Sequence, residues 1–344
     1  MRFSKRDLDW AVSEGLIGAA EAEKLWQGLA DRTDGAARFD AAHVACYAGA
    51  LLVIGAMGWF MTAAWEDLGG VGIFAIAALY MAAFWFLGYR FWNRPGGRVP
   101  GGLMVAVCVS ITPLAVYGLQ RWLGFWQGDD PGTYRDFHIW IKSGWFTMEL
   151  ATVAVGLLAL RVVPFGFVTA PIAFALWYMS MDLTPIIAGA DDFNWDLRKI
   201  VSVWFGLAMI AGAFAVDRRT REDFAFWGYL FGLIAFWGGL SLMNSDTELN
   251  KFLYFLINVV LIFAAVFLRR RAFLVFGALG CFGYLGHLAV EIFEDSALFP
   301  VAVTAAGIAI IALGIVLKRY CAKWEAAILA TMPAALRRLR PIER

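Results

Sequence analysis

Ten apolar segments, each about as long as a bilayer is thick, are separated by short polar connections along this chain. About 20 consecutive apolar residues cross the hydrocarbon core as an α-helix. Hydrophobic residues make up 61% and charged residues 17% of the chain, against about 45–50% and about 25% in a soluble domain. The sequence therefore predicts an all-α, polytopic helical membrane protein with ten transmembrane helices, near residues 42–64, 71–92, 101–123, 145–162, 164–182, 199–216, 224–243, 251–268, 272–292 and 297–317.

The connections between these segments alternate between rich and poor in lysine and arginine. With the N-terminus placed inside, only six of the 29 Lys and Arg residues fall on the outer side: Arg121, Arg135, Lys142, Arg198, Lys199 and Lys251. Cytoplasmic connections of membrane proteins carry the excess of positive charge. A missed or extra helix would invert every later connection, so the alternation favours ten helices and two cytoplasmic termini. The fourth and fifth segments, joined near residues 161–164, are either two separate spans or one broken hairpin.

Residues 1–40 precede the first apolar segment and predict a cytoplasmic helical hairpin. A first helix stops near Glu14 and Gly15, and a second runs from about Ala19 to Ala30. Two helices in about 40 residues bury too little apolar surface to be stable alone. We therefore expect this hairpin to dock on the cytoplasmic loops, on a second copy of the chain or on a protein partner, through apolar residues Leu16, Ile17, Leu25, Trp26 and Leu29.

Residues 41–318 form the predicted transmembrane domain, and residues 319–344 form a basic cytoplasmic tail. The tail mixes apolar residues with lysines and arginines. It either lies on the anionic inner leaflet as an amphipathic helix or serves only as a positive signal for topology.

The segment near 272–292 carries glycine at every third position over four repeats: Gly277, Gly280, Gly283 and Gly286. Glycine lets a neighbouring membrane helix approach closely, so that van der Waals packing holds the helices together. A spacing of three rotates the position by about 60° per step on a helix of 3.6 residues per turn. These helix-packing glycines thus cover about half the circumference, which indicates two neighbours, or one neighbour and a cavity.

The same segment carries His287 and Glu291, four residues apart and therefore on one helix face. Ionisable residues inside a membrane are costly and are functional candidates, for proton coupling or for ligand or ion binding. The alternative is a neutral histidine bonded within the bundle and a glutamate in water. Two acids near the outer helix ends, Glu149 and Asp182, are further candidates for an outward-facing ligand or ion site.

Motifs of enzymes and cofactor sites are absent from the sequence. It contains no HExxH, no GxSxG, no phosphate-binding loop and no GxGxxG. Three histidines on separate segments make a clustered metal site improbable, and a net charge of +1 argues against binding nucleic acid. We predict no catalytic residue, no metal site and no cofactor, and we expect the lipid bilayer to be the main partner.

Two stretches resemble an uncharacterised bacterial membrane family, domain of unknown function 2157. They are LDWAVSEGLIGAAEAEKLWQGLA and YAGALLVIGAMGWFMTAAWEDLGG, and the later FGALGCFGYLGHLAVEIFEDSALFPVAV is also similar to relatives of that group. The resemblance implies a bacterial inner-membrane protein with a small cytoplasmic hairpin. That family has no established activity, so the resemblance supplies no catalytic residues.

Two classes of function fit these features. One is transport of a small solute or ion through an outward-facing site. The other is a non-transport envelope scaffold or sensor that acts through the cytoplasmic hairpin. Ten helices and the pair of His287 and Glu291 favour transport, whereas scarce charge inside the membrane and the apolar hairpin favour a scaffold.

Overall fold

The computed structural model describes residues 5–33, 41–64, 68–125, 143–188, 195–220, 222–243 and 247–293, with residues 301, 304, 307 and 308. These residues form helices and turns and contain no β-strand, which confirms the predicted all-α class. The described helices are α1 Lys5–Ser13, α2 Ala19–Thr33, α3 Ala41–Ala64, α4 Gly69–Trp92, α5 Arg98–Leu123, α6 Ser143–Val162, α7 Thr169–Ala188, α8 Trp195–Asp217, α9 Phe226–Ser241, α10 Glu248–Leu268 and α11 Arg271–Phe293.

Seven of the described helices are long and apolar enough to cross a membrane. They are α4 to α8, with α10 and α11. Two more, α3 and α9, contain shorter apolar stretches, Val44–Met57 and Phe226–Ser241. The tenth predicted segment, 297–317, lies almost entirely outside the described residues, so the count of ten stays a prediction.

The fourth and fifth predicted segments are two helices. After α6 ends at Val162, a short 3₁₀ turn covers Gly166–Val168 before α7 starts. Two candidate membrane spans, Trp145–Val162 and Gly166–Leu183, correspond to these two helices. They fit the alternative of two separate spans.

One compact unit comprises Met1–Phe125 and Val155–Val168. Its centre is α5, which packs on α3, on α4 and on the 3₁₀ turn. Glycine allows the contact with α4, because an added Cβ at Gly101 would lie 2.7 Å from the Gly88 carbonyl oxygen. Close helix contact through small residues is the packing that lipid favours.

The second compact unit comprises Trp126–Ala154 and Thr169–Arg344. Within it, α8 pairs with α9, α10 pairs with α11, and α7 contacts both α8 and α9. Apolar side chains from four helices form its core, including Ala213, Tyr229, Leu261 and Phe273. This unit holds the polar groups considered below.

Candidate functional site

Two buried carboxyl groups meet in the second unit, from Glu149 on α6 and Asp182 on α7. Glu149 is 6% exposed and Asp182 is 2% exposed. The two carboxyl groups lie within hydrogen-bonding reach of each other. Among the described residues, no N–H or O–H group donates to any of their four oxygens. A hydrogen bond between two carboxyl groups requires a proton on one of them, so a proton on either acid would allow the two to bond.

Helical spacing places each acid on the same helix face as an aromatic ring, and the two rings contact each other between α6 and α7. Trp145 precedes Glu149 by four residues and Tyr178 precedes Asp182 by four, so each aromatic ring shares a helix face with its acid. The rings of Trp145 and Tyr178 stack with centroids 6.0 Å apart and planes inclined by 15°. Both acids fall within the candidate spans Trp145–Val162 and Gly166–Leu183. The faces of α6 and α7 that carry the rings therefore also carry the carboxyl pair.

A positive charge on the first turn of α8 acts on Asp182. The guanidinium of Arg198 interacts electrostatically with the carboxyl group of Asp182, and it also lies 5.9 Å from the centre of the Trp195 ring. Two residues on the same turn pair with each other, because Lys199 Nζ lies 2.9 Å from Asp196 Oδ1. Three helices thus contribute one ionisable group each to the Glu149, Asp182 and Arg198 cluster, which we name the carboxyl site.

His287 lies near an acid of the neighbouring helix α10. Its Nε2 lies 3.8 Å from Glu248 Oε1 of α10, a separation longer than a hydrogen bond. The side chain of Glu291 lies outside the described side chains, so its predicted contact with His287 stays a prediction. Glu149 and Asp182 interact with each other, and Arg198 acts on Asp182, so the described partners of the two acids do not include His287.

The glycine repeat of α11 divides into two halves. An added Cβ at Gly277 would lie 2.7 Å from the Asn258 carbonyl oxygen of α10, and one at Gly280 would collide with the Asn258 side chain. At Gly283 and Gly286, an added Cβ would meet no described atom within 4 Å. The first two glycines therefore lie against α10, whereas the last two face no described atom.

Asn258 is a buried polar residue that the sequence analysis did not identify. It is fully buried, its Oδ1 accepts a hydrogen bond of 3.0 Å from Trp237 Nε1, and its Nδ2 donates one of 2.8 Å to the Tyr254 carbonyl. Polar side chains that bond across helices help to hold membrane bundles together. The sequence offered one signal for this residue. An asparagine lies within the apolar segment 251–268, and the next segment carries the glycines that it faces.

Residues 9–120 match the DUF2157 family of predicted membrane proteins. The match confirms the family resemblance over the first five helices, and it does not reach the later stretch that begins at Phe276. The chain is a membrane protein with several apolar helices. No curated protein and no solved structure matched it. Because the carboxyl site lies outside residues 9–120, the family description carries no information about that site.

An ion cluster at the connection between α10 and α11 was also missed. Arg270 donates to Asp217 through Nη2 at 2.7 Å and through Nε at 3.3 Å, and to Asp223 through Nη1 at 2.7 Å. Its guanidinium carbon lies 5.5 Å from the centre of the Tyr229 ring. Burial by itself lowers the pKa of Arg270, but the hydrogen bonds and charges of Asp223 and Asp217 outweigh it and raise that pKa. In the sequence, arginines 269–271 indicated only the topology of the chain. The contact of Arg270 with Asp217 and Asp223 was therefore not predicted.

No group of three or more His, Cys, Asp or Glu side chains suited to a metal ion occurs within the described ranges. The carboxyl site is a pair of acids with one arginine. A pair of carboxyl groups can share a proton or offer its oxygens to a small cation.

Proposed function

We propose that this chain is a membrane transport protein that binds protons at Glu149 and Asp182 and couples their movement to that of a small solute or ion. The supporting observation is the pair of buried carboxyl groups within two candidate membrane spans, whose oxygens receive no hydrogen bond from the described N–H and O–H groups. Ionisable residues in such positions mark ion pathways and proton relays in pumps and transporters.

Burial makes the charged form of both carboxyl groups costly. A buried carboxylate without donors is strongly disfavoured, and two adjacent carboxylates disfavour each other further. Two apolar residues of similar size would stabilise the fold at least as well as such a pair. A protein that retains this arrangement gains a site that takes up and releases a proton, and this supports a role in transport.

We also propose the finer architecture predicted from the sequence. Ten helices, with both termini in the cytoplasm of the bacterial inner membrane, satisfy the alternation of positive charge. In that topology, Glu149 near the start of α6 and Asp182 near the end of α7 both lie toward the outer face. The carboxyl site would then exchange protons with the outside, which fits the outward-facing site expected from the sequence.

A scaffold or sensor role is the second candidate, and exposed apolar side chains favour it. Trp10 on α1, Leu16 in the connection and Leu25 on α2 are exposed, and such residues can bind a second copy of the chain or a cytoplasmic protein. The two candidates differ in what they require. Deletion of residues 1–38 should abolish a scaffold function and leave transport intact, whereas Glu149→Gln should do the reverse.

Charge displacement after a pH jump tests the proposed function without a known solute. Proteoliposomes adsorbed to a solid-supported membrane are switched rapidly from pH 8 to pH 6, and the transient current is recorded. Proton entry to a site within the bilayer moves charge across part of the membrane, so the wild type should give a transient. Glu149→Gln and Asp182→Asn should each remove it, and Glu222→Gln, an exposed acid between α8 and α9, should retain it.

The absence of a transient from folded wild-type protein would contradict the proposed function. A transient that persists in both carboxyl variants would place proton binding elsewhere. Measuring the unfolding temperature of each variant in the same lipid separates loss of the site from loss of the fold.

A further inference from the structure

The ion cluster of Arg270 ties two arginine-bearing connections together at one end of the second unit. Arg270 lies between α10 and α11, and it bonds to Asp217 at the end of α8 and to Asp223 in the connection between α8 and α9. Four exposed arginines flank these bonds along the chain. We name them the arginine surface: Arg218, Arg219, Arg269 and Arg271.

The arginine surface lies at the ends of three candidate membrane spans. Arg218 is the first residue after the span of α8, Arg269 is the first after the span of α10, and Arg271 is the first residue of the span of α11. The guanidinium carbon of Arg218 also lies 5.6 Å from the centre of the Phe214 ring. Charged and aromatic side chains at the end of a span lie at the level of the lipid headgroups. In the proposed topology, this end faces the cytoplasmic leaflet, which carries anionic lipids.

Positive charge is in excess at this end of the unit. The ion cluster has one net negative charge, because Arg270 bonds to two aspartates, and the exposed Glu222 adds a second. The arginine surface outweighs both, so an anion would compensate charge here. Arg269 has a φ of 55°, in the left-handed region where glycine usually ends a helix. A positive charge is therefore placed at this turn at a conformational cost.

An exposed apolar stripe runs along α11 from Arg271. Val275, Leu279 and Phe282 follow Arg271 by 4, 8 and 11 residues, which places them on the same helix face. Each of the three is more than half exposed. An anion bound at Arg271 that carries an acyl chain would lay this chain on the stripe, whereas a soluble anion gains nothing from it. The stripe therefore favours a lipid over free phosphate.

We propose that the arginine surface binds the phosphate headgroup of an anionic phospholipid, whose acyl chain lies along the apolar stripe of α11. Arginine suits this role, because its guanidinium forms bidentate hydrogen bonds with phosphate oxygens. Arg270 has a different role. Its guanidinium bonds to Asp217 and Asp223, so it holds the two connections together and leaves the lipid to its neighbours. The lipid site is separate from the carboxyl site and does not depend on transport.

Native mass spectrometry of the full chain measures the binding of single lipid molecules. The protein in nonionic detergent is titrated with phosphatidylglycerol, or with phosphatidylcholine, which has a phosphate but no net charge. The wild type should bind the first phosphatidylglycerol more tightly. Arg218→Gln and Arg271→Gln, one from each connection, should each weaken this binding roughly 5-fold, and together roughly 30-fold. These factors correspond to about 1 kcal/mol for each basic side chain near an anionic surface.

Two arginines at the end of α4 provide a matched control. Arg90 and Arg94 are exposed and belong to the first unit. Replacing both with glutamine removes the same charge as the combined variant and should leave the first binding event unchanged. The unfolding temperature of each variant shows that it is folded.

Three results would overturn the lipid site. The first is equal affinity of the wild type for phosphatidylglycerol and phosphatidylcholine. The second is a loss in the control variant as large as in the combined variant, since total charge alone would then explain binding. The third is displacement of phosphatidylglycerol by an equal concentration of inorganic phosphate, because the ligand would then be a free anion. A loss confined to one of the two single variants would overturn a surface shared by both connections.

Discussion

The ion cluster around Arg270 predicts a large difference between two aspartates that bind the same arginine. Asp217 is 1% exposed and holds Arg270 through two hydrogen bonds, of 2.7 and 3.3 Å. Asp223 is 46% exposed and accepts one bond of 2.7 Å. The guanidinium is 14% exposed, so it is largely removed from water. The perturbations are Asp217→Asn and, as the matched control, Asp223→Asn.

The expected magnitudes follow from burial. Removing one partner of a buried ion pair costs about 3–5 kcal/mol, because the other charge is left uncompensated. Asp223 still pairs with Arg270 in the Asp217→Asn variant, so we expect the lower end, about 3 kcal/mol. An exposed ion pair contributes about 0–1 kcal/mol, which is the expected loss for Asp223→Asn. A loss of 3 kcal/mol changes the unfolding equilibrium roughly 100-fold, since about 1.4 kcal/mol corresponds to tenfold.

Equilibrium unfolding by SDS titration in mixed micelles measures both losses on one scale. A double-mutant cycle with Arg270→Met and Asp217→Asn isolates the pair, and the coupling should exceed about 1 kcal/mol, as for close charge pairs. Equal losses for Asp217→Asn and Asp223→Asn would refute the reasoning, because burial would then not determine the contribution. A coupling near zero would refute the direct contact itself.

Three further predictions use the same unfolding assay. Gly280→Ala should cost about 1–3 kcal/mol by overpacking against Asn258. Gly283→Ala, whose Cβ would meet no described atom within 4 Å, should be neutral or gain about 0.5–1 kcal/mol from the better helix former, and equal effects of the two substitutions would contradict the packing. Trp237→Phe should cost about 1–3 kcal/mol by leaving the Asn258 amide oxygen without its donor, and an unchanged midpoint would count against that bond. Glu149→Gln should raise stability by about 1 kcal/mol because it removes a buried acid that lacks described donors, and a loss would show that the acid supports the fold.

Much of the helix pattern was predictable, because in lipid the local sequence determines which segments form helices. A single apolar segment in a membrane forms a helix because a helix satisfies its own backbone hydrogen bonds. Eight of the predicted apolar ranges therefore match their helices to within about four residues at each end, whereas the range 164–182 lies five to six residues before α7, Thr169–Ala188. The ends of the helices were also predictable where charged residues or glycines end the apolar segment. Most of the last predicted span, 297–317, lies outside the described residues.

The contents of the carboxyl site were predictable only in part. Glu149 and Asp182 were selected individually, as acids near helix ends. Their pairing and the approach of Arg198 depend on how three helices pack, and no spacing along the chain encodes that. Spacing within one helix pointed instead to His287 and Glu291, and the structure places His287 near Glu248 on a neighbouring helix.

The sequence by itself determined that this protein is helical, apolar and suited to a membrane, because the hydrophobic segments and their charged connections act locally. The tertiary structure decided which polar groups meet. Buried charge is expensive, so the partners of Glu149, Asp217 and Asn258 matter more than the residues themselves, and those partners come from other helices. Two acids 33 residues apart in the chain thus become a site only when α6 and α7 bring their faces together.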